Sequence, residues 1–103
     1  MTVRRLKIAV VAPPWFPVPP TGYGGIESVC AGLVDGLVEI GHDVTLIGAG
    51  QDGTDATRFF AATREPQSDS VGDALTEVRH AAAAVQVLGD LGVDVIHDHT
   101  AAG

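Results

Sequence analysis

Residues 6–30, LKIAVVAPPWFPVPPTGYGGIESVC, pass from an apolar segment through a proline- and glycine-rich loop into a helical pattern. Residues 6–12 are almost all apolar without polar alternation, which is typical of a strand buried on both faces of a parallel sheet. From Ile26 to Ile40 apolar residues recur at steps of three and four, and Gly41 follows them. This pattern predicts a helix that ends at Gly41, so the stretch forms the first half of a βαβ unit.

Three further strands and a second helix are predicted after residue 41. HDVTLIGAG, residues 42–50, contains a short buried strand, RFFAAT at 58–63 a third, and VDVIH at 93–97 a fourth. The second helix is predicted to begin at an N-cap, Ser70 or Asp69, and to end near Leu91, where Gly92 closes it. Its predicted apolar face consists of Val71, Leu75, Val78, Ala82, Val85, and Leu88 or Gly89.

The order of these elements predicts an α/β fold, a Rossmann-like doubly wound parallel sheet with strand order 3-2-1-4. The switch point lies between strands one and four, where open α/β sheets bind their ligands. Loop 13–25 and the tail 97–103 are therefore expected to face one cleft. Because the chain ends soon after a strand, residues 1–103 are interpreted as one domain that is incomplete.

Composition narrows the classes of partner. The net charge of −7, with no basic cluster beyond Arg4, Arg5 and Lys7, disfavours nucleic acid and anionic membrane surfaces. No stretch approaches the ~20 apolar residues of a membrane span. The single cysteine, Cys30, is expected to be a small buried side chain in a reducing compartment, so a cytoplasmic location is predicted.

Gly22, Gly24 and Gly25 precede the first helix and suggest a ligand site. Without a Cβ they let ligand oxygens approach the backbone, and a helix N-terminus offers unpaired N–H groups to a phosphate. The alternative is a flexible turn after a proline-rich segment. Glu27, in the first helical turn, either caps the helix or pairs with a ligand hydroxyl.

A second glycine pattern, GAGQDG at residues 48–53, matches the GxGxxG dinucleotide fingerprint. That fingerprint opens a helix after the first strand of the unit, whereas this one follows the second strand and precedes no helical pattern. A nicotinamide or flavin site is therefore disfavoured.

Histidines close the fourth predicted strand in the sequence HDHT. His97 and His99 would point to the same side, but two ligands are too few for a metal site, so no metal is predicted. Hydrogen bonding to a polar substrate is favoured, with His97 the one expected to be packed. His42 is expected to be structural, and His80 to be a solvated residue of the second helix.

Three segments together resemble a known family. APPWFPVPPTGYGGIESV at 12–29, LVEIGHDVTLIGAG at 37–50 and DVIHDHT at 94–100 resemble the N-terminal Rossmann-like domain of family-four retaining glycosyltransferases with the two-domain GT-B fold. The resemblance covers nearly the whole chain. The C-terminal nucleotide-binding domain, with its basic residues and glutamate pair, is absent from the sequence.

The resemblance implies a function and a set of site residues. The N-terminal domain would hold the acceptor, and Gly24 and Gly25 would reach the diphosphate of a nucleotide-sugar donor bound by the missing C-terminal domain. Thr21 and Tyr23 would shape the loop, and the substrate cleft would be lined by Asp98, His99 and Thr100, with His99 the catalytic candidate. No cofactor and no divalent metal are implied, and the acceptor would attack the donor from the front face without a protein nucleophile.

These implications lead to one interpretation and two alternatives. The chain is interpreted as part of a glycosyltransferase that is inactive alone. A non-catalytic α/β binding or interaction module is the first alternative, and a dinucleotide-dependent oxidoreductase is the second.

Overall fold

The computed structural model describes residues 4–100, which form a four-stranded parallel sheet with two α-helices. In chain order the elements are β1 (Lys7–Val11), α1 (Gly25–Glu39), β2 (Asp43–Ala49), β3 (Arg58–Thr63), a 3₁₀ turn (Ser68–Ser70), α2 (Ala74–Leu91) and β4 (Val95–Asp98). All neighbouring strands are parallel in the order β3-β2-β1-β4. The predicted α/β Rossmann-like class and strand order are therefore confirmed.

The two helices cover opposite faces of the sheet. Val10 lies in one buried cluster with Cys30 and Val34 of α1, whereas Val11 lies in a second cluster with Ala84 of α2. Because successive residues of a strand point to opposite faces, β1 is covered on both sides. This double burial explains why its sequence is apolar without alternation.

Helix α1 ends where the sequence predicted. Ile40 is the C-cap, and Gly41 takes a positive φ of 100° while its N–H donates to the Val38 carbonyl at 2.9 Å. Cys30 is fully buried, as predicted, and burial together with the charge of Glu27 raises the pKa of its thiol to about 12. The buried face of α1 is narrower than predicted, because Val29, one of the apolar residues in the helical pattern, is 61% exposed.

Helix α2 begins later than the sequence predicted. Ser70 belongs to the 3₁₀ turn, and the N-cap is Asp73, whose carboxylate accepts the Thr76 backbone N–H at 3.0 Å. Gly72, with a φ of 87°, reverses the chain between the turn and the cap. The predicted N-cap at Asp69 or Ser70 is therefore wrong, whereas Gly92 closes the helix in a left-handed conformation as predicted.

The apolar face predicted for α2 is wrong at most positions, although Leu88 packs as predicted. Leu75, Val78 and Val85 are each more than half exposed, while His80 and Ala84 are buried against the sheet. Helix α2 carries two apolar stripes, and the stripe that continues from Ala84 to Val87 and Leu88 is the one that packs. No helix in residues 4–100 is long and apolar enough to cross a membrane.

Candidate functional site

The carboxyl ends of β1 and β4 lie side by side. Val11 is paired with Asp98, and the His99 N–H donates to the Val11 carbonyl at 3.0 Å. The chain leaves β1 at this edge through residues 12–24 and begins α1 at Gly25. The loop after β1 and the end of β4 therefore start from the same edge of the sheet, at the switch point. Residues 101–103 of the predicted cleft lie outside the described residues.

Gly24 is the N-cap of α1 and packs tightly under the proline-rich loop. It is buried with a φ of 150°, and a Cβ there would lie 2.9 Å from the Pro20 Cβ and 3.3 Å from the Phe16 Cβ. Its carbonyl accepts the Ser28 N–H at 2.9 Å, the first bond of the helix. A side chain at this position would push the loop away from the helix.

Gly25, the next residue, serves a different purpose. It is exposed, and nothing lies within 4 Å of the position that a Cβ would occupy. The first turn of a helix has N–H groups without intrahelical partners and a partial positive charge. The N-terminus of α1 is therefore open to solvent and able to accept an anion.

The rim of this loop is formed by Thr21 and Tyr23, which are both exposed. Tyr23 is 86% exposed, and its ring meets Phe16 edge-on with the ring centroids 5.7 Å apart. The tyrosine therefore contacts the loop through one edge of its ring and is otherwise exposed to solvent.

Glu27 ties the start of α1 to the loop. The side chain is only 2% exposed, and its Oε2 has no hydrogen-bond partner among residues 4–100. Burial raises the pKa of this carboxyl, and the backbone N–H groups of Glu27 and Phe16 partly oppose the shift. A buried carboxyl with one unsatisfied oxygen is therefore present in the first turn of α1.

The HDHT segment divides between the two faces of the sheet. His97 is paired with Val10, on the α1 side, and the rings of His97 and His99 are nearly parallel with centroids 6.3 Å apart. Asp98 and Thr100 instead line an apolar groove beside α2, where the Asp98 Oδ1 accepts the Thr100 N–H and hydroxyl at 2.9 and 2.7 Å. Of the three predicted cleft residues, only His99 therefore lies on the face that carries α1.

The two histidines differ in exposure, contrary to the sequence prediction. His97 is exposed because β4 pairs only with β1 among the described strands, so the prediction that it is the packed histidine is wrong. His99 is half-buried, and its Nε2 is covered without a hydrogen-bond partner within residues 4–100. In the described part of the chain, no three His, Cys, Asp or Glu side chains are grouped as metal ligands would be.

Gly50 and Gly53 connect the loop after β2 to two other segments, the residues after β3 and the loop after β1. Gly50 donates its N–H to the Thr63 carbonyl at 3.1 Å, and a Cβ there would lie 2.9 Å from Pro66. Gly53 donates to the Val18 carbonyl at 3.1 Å and would meet Pro19 at 2.9 Å. The next regular element is β3, not a helix, so this stretch lacks the helix N-terminus that a dinucleotide fingerprint requires.

His80 is the largest departure from the sequence prediction. It is 1% exposed, with Nε2 at 2.7 Å from the Ala12 carbonyl and Nδ1 at 2.7 Å from the Thr63 hydroxyl. The predicted solvated histidine is therefore wrong, because two distant polar groups satisfy the ring. The sequence held one indication of this burial: His80 lies four residues before Ala84, so the two side chains share one face of α2. His42, by contrast, accepts the Leu6 N–H at 3.0 Å and is structural as predicted.

One solved structure similar to this chain is the crystal structure of AviGT4, a glycosyltransferase involved in avilamycin A biosynthesis. The two are 35% identical with a TM-score of 0.58, over 91% of this chain and 25% of AviGT4. This chain has a glycosyltransferase-like fold. No family model and no curated protein matches the sequence.

Within the glycosyltransferase-like fold, the chain spans about a quarter of the length of AviGT4. The similarity covers 91% of residues 1–103. The features that sequence reasoning missed at this edge are the burial of Glu27 and of His80.

Proposed function

We propose that this chain is the N-terminal, acceptor-side domain, in part, of a family-four retaining glycosyltransferase with the two-domain GT-B fold. The complete enzyme moves a sugar from a nucleotide-sugar donor to an acceptor hydroxyl in the cytoplasm, and a C-terminal domain outside residues 1–103 holds the nucleotide. The observation that carries the proposal is the 35% identity to a glycosyltransferase over 91% of this chain.

The donor diphosphate is assigned to the N-terminus of α1. Gly24 holds the loop close to the helix, and Gly25 leaves the first turn uncovered, so backbone N–H groups bind phosphate oxygens without a lysine. The helix dipole adds about 0.3–1 kcal/mol for a negative group at such an end. Thr21 and Tyr23 form the outer rim of this pocket.

The sugar and acceptor are assigned to the end of β4. His99 is the catalytic candidate, because it lies at the carboxyl end of β4 and its Nε2 has no hydrogen-bond partner among the described residues. Asp98 and Thr100 line the other side of β4 and contact the acceptor from there. The mechanism uses front-face attack by the acceptor, with no protein nucleophile, divalent metal or organic cofactor.

A binding experiment tests the diphosphate site. We expect UDP-glucose to shift the amide resonances of Gly24 and Gly25 in the ¹⁵N-labelled chain, and glucose to leave them unchanged. Gly25→Ala is expected to weaken this binding at least tenfold without unfolding the chain, because its Cβ meets no protein atom but covers the helix end.

Gly32→Ala is the matched control, since Gly32 lies within α1 and also has no atom within 4 Å of a Cβ. It is expected to bind UDP-glucose like the wild type. Equal losses in the two variants, or equal shifts with NAD and UDP-glucose, would argue against the proposal.

A further inference from the structure

A second polar cleft lies at the carboxyl end of β3, away from the β1–β4 edge. It has a volume of about 520 Å³ and is enclosed by the residues that follow β3 and by the first turns of α2. Its lining residues are Thr63, Arg64, Glu65, Gln67, Thr76 and Arg79. This volume is within the range of about 300–1,000 Å³ that is usual for small-molecule sites.

The lining is positively charged in an acidic protein. Arg64 and Arg79 are two of only six Lys and Arg residues in a chain of net charge −7, and Glu65 is the only acidic residue in the lining. Within residues 4–100 the ion pair is Arg58–Asp43, and neither arginine of the cleft has a carboxylate within salt-bridge distance. Two guanidinium groups are therefore available to an anion.

The segment after β3, which forms one wall of the cleft, is held in place by contacts with two other loops. Pro66 packs against Gly50, and the Gln67 N–H donates to the Pro14 carbonyl at 2.8 Å. The loop that carries Arg64 is thus fixed to the loops after β1 and β2. This support preorganises the cleft, which reduces the entropy cost of binding.

The two hydroxyl groups of the lining and one N–H of the Gln67 amide are already engaged. His80 Nε2 faces a carbonyl and must carry the proton of the neutral ring, so the Thr63 hydroxyl donates to Nδ1. The Thr76 hydroxyl donates to Asp73 at 2.7 Å, and the Gln67 amide donates to the Glu65 carbonyl at 2.9 Å. The free hydrogen-bond donors of the lining side chains are therefore those of Arg64 and Arg79, together with the second N–H of the Gln67 amide.

We propose that this cleft binds an anionic group, a phosphate or a carboxylate, on the acceptor substrate. Guanidinium groups bind both anions through paired hydrogen bonds. The cleft lies three strands from β4, where the acceptor is assigned, or roughly 14 Å at the usual strand spacing, so the anionic group would be on a part of the acceptor distant from the reacting hydroxyl. The assignment to an acceptor rests on the proposed function.

The test uses three probes that differ in charge. At low ionic strength we expect glucose 6-phosphate and glucuronate to shift the amides of residues 63–67 and 76–80, and glucose to leave them unchanged. The double variant Arg64→Gln/Arg79→Gln is expected to weaken anion binding at least tenfold. The control Arg4→Gln/Arg5→Gln removes the same charge outside the lining and is expected to change binding less than twofold.

Binding by only one of the two anions supports the site and identifies the group that it recognises. Equal shifts with glucose, or equal losses in the two double variants, would overturn the inference. If the wild-type chain shows no anion response while UDP-glucose still shifts Gly25, this site alone is overturned. Loss of the Gly25 response with anion binding retained overturns the proposed function and, with it, the assignment to an acceptor.

Discussion

At the residue scale, one histidine joins α2 to the carboxyl ends of two strands. His80 of α2 reaches the Ala12 carbonyl at the end of β1 and the Thr63 hydroxyl at the end of β3. Burial lowers the pKa of its imidazole below the ordinary value of 6.5, and the Ala12 carbonyl and the charge of Asp98 partly oppose the shift. The ring is therefore neutral in the folded protein at neutral pH.

This shift predicts a pH-dependent loss of stability. Because the folded pKa lies below the unfolded one, the unfolded chain binds more protons between the two values, and stability falls as pH drops below about 6.5. We expect His80→Gln to cost about 1–3 kcal/mol in the free energy of unfolding at pH 7.5, through unsatisfied buried groups. The difference from the wild type should narrow at pH 5.5.

Denaturant unfolding of both proteins at the two pH values measures this effect. The raised pKa of Glu27 stabilises the fold toward low pH. Because Glu27 is present in both proteins, this contribution cancels in the difference between their free energies of unfolding. A difference that is the same at pH 7.5 and pH 5.5 would show that the protonation of His80 is not coupled to folding.

At the element scale, the start of α2 depends on one side chain. Asp73 accepts both the backbone N–H and the hydroxyl of Thr76, and these hydrogen bonds are the main cause of its lowered pKa. Asp69 and Ser70 lie before it, in a 3₁₀ turn that Gly72 separates from the helix.

We expect Asp73→Ala to lower the melting temperature by about 4–8 °C, the usual effect of a lost N-cap in a domain of this size. Asp69→Ala removes the same charge outside the cap and should change the melting temperature little. Thermal unfolding followed by circular dichroism measures both variants. A larger effect of Asp69→Ala would place the functional cap in the 3₁₀ turn.

These elements also show what the sequence could predict. Strands β1 and β2 are buried on both faces, so their apolar runs identified them and the strand order followed. Three capping residues precede α2 within five positions, and only the chain reversal at Gly72 selects Asp73. Local pattern could not make that choice, because the reversal depends on how the loop packs.

The positions of the candidate site residues at the strand ends were predictable, but their environments were not. Its glycines and histidines were identified from their places at strand ends, yet the different environments of Gly24 and Gly25 depend on contacts with Phe16 and Pro20. The burial of His80 depends on Ala12, 68 residues away. Such long-range contacts are not encoded in the periodicity of one helix.

At the scale of the whole molecule, the proposed function makes a simple prediction about turnover. The chain matches about a quarter of the length of AviGT4, and in the proposal the nucleotide is held by a domain outside these residues. We expect the purified 103-residue chain to release no UDP from UDP-glucose, with or without an acceptor sugar. Coupled detection of UDP measures this, and sustained turnover by the chain alone would contradict the two-domain proposal.

The contacts at Gly50 and Gly53 have a consequence for protein engineering. Through them, residues 48–53 touch Pro66 after β3 and Pro19 in the loop after β1. A loop graft from a related enzyme that replaced residues 12–24 alone would set new side chains against an unchanged Gly53. Residues 12–24, residues 48–53 and the segment around Pro66 would therefore have to be exchanged together to keep these contacts.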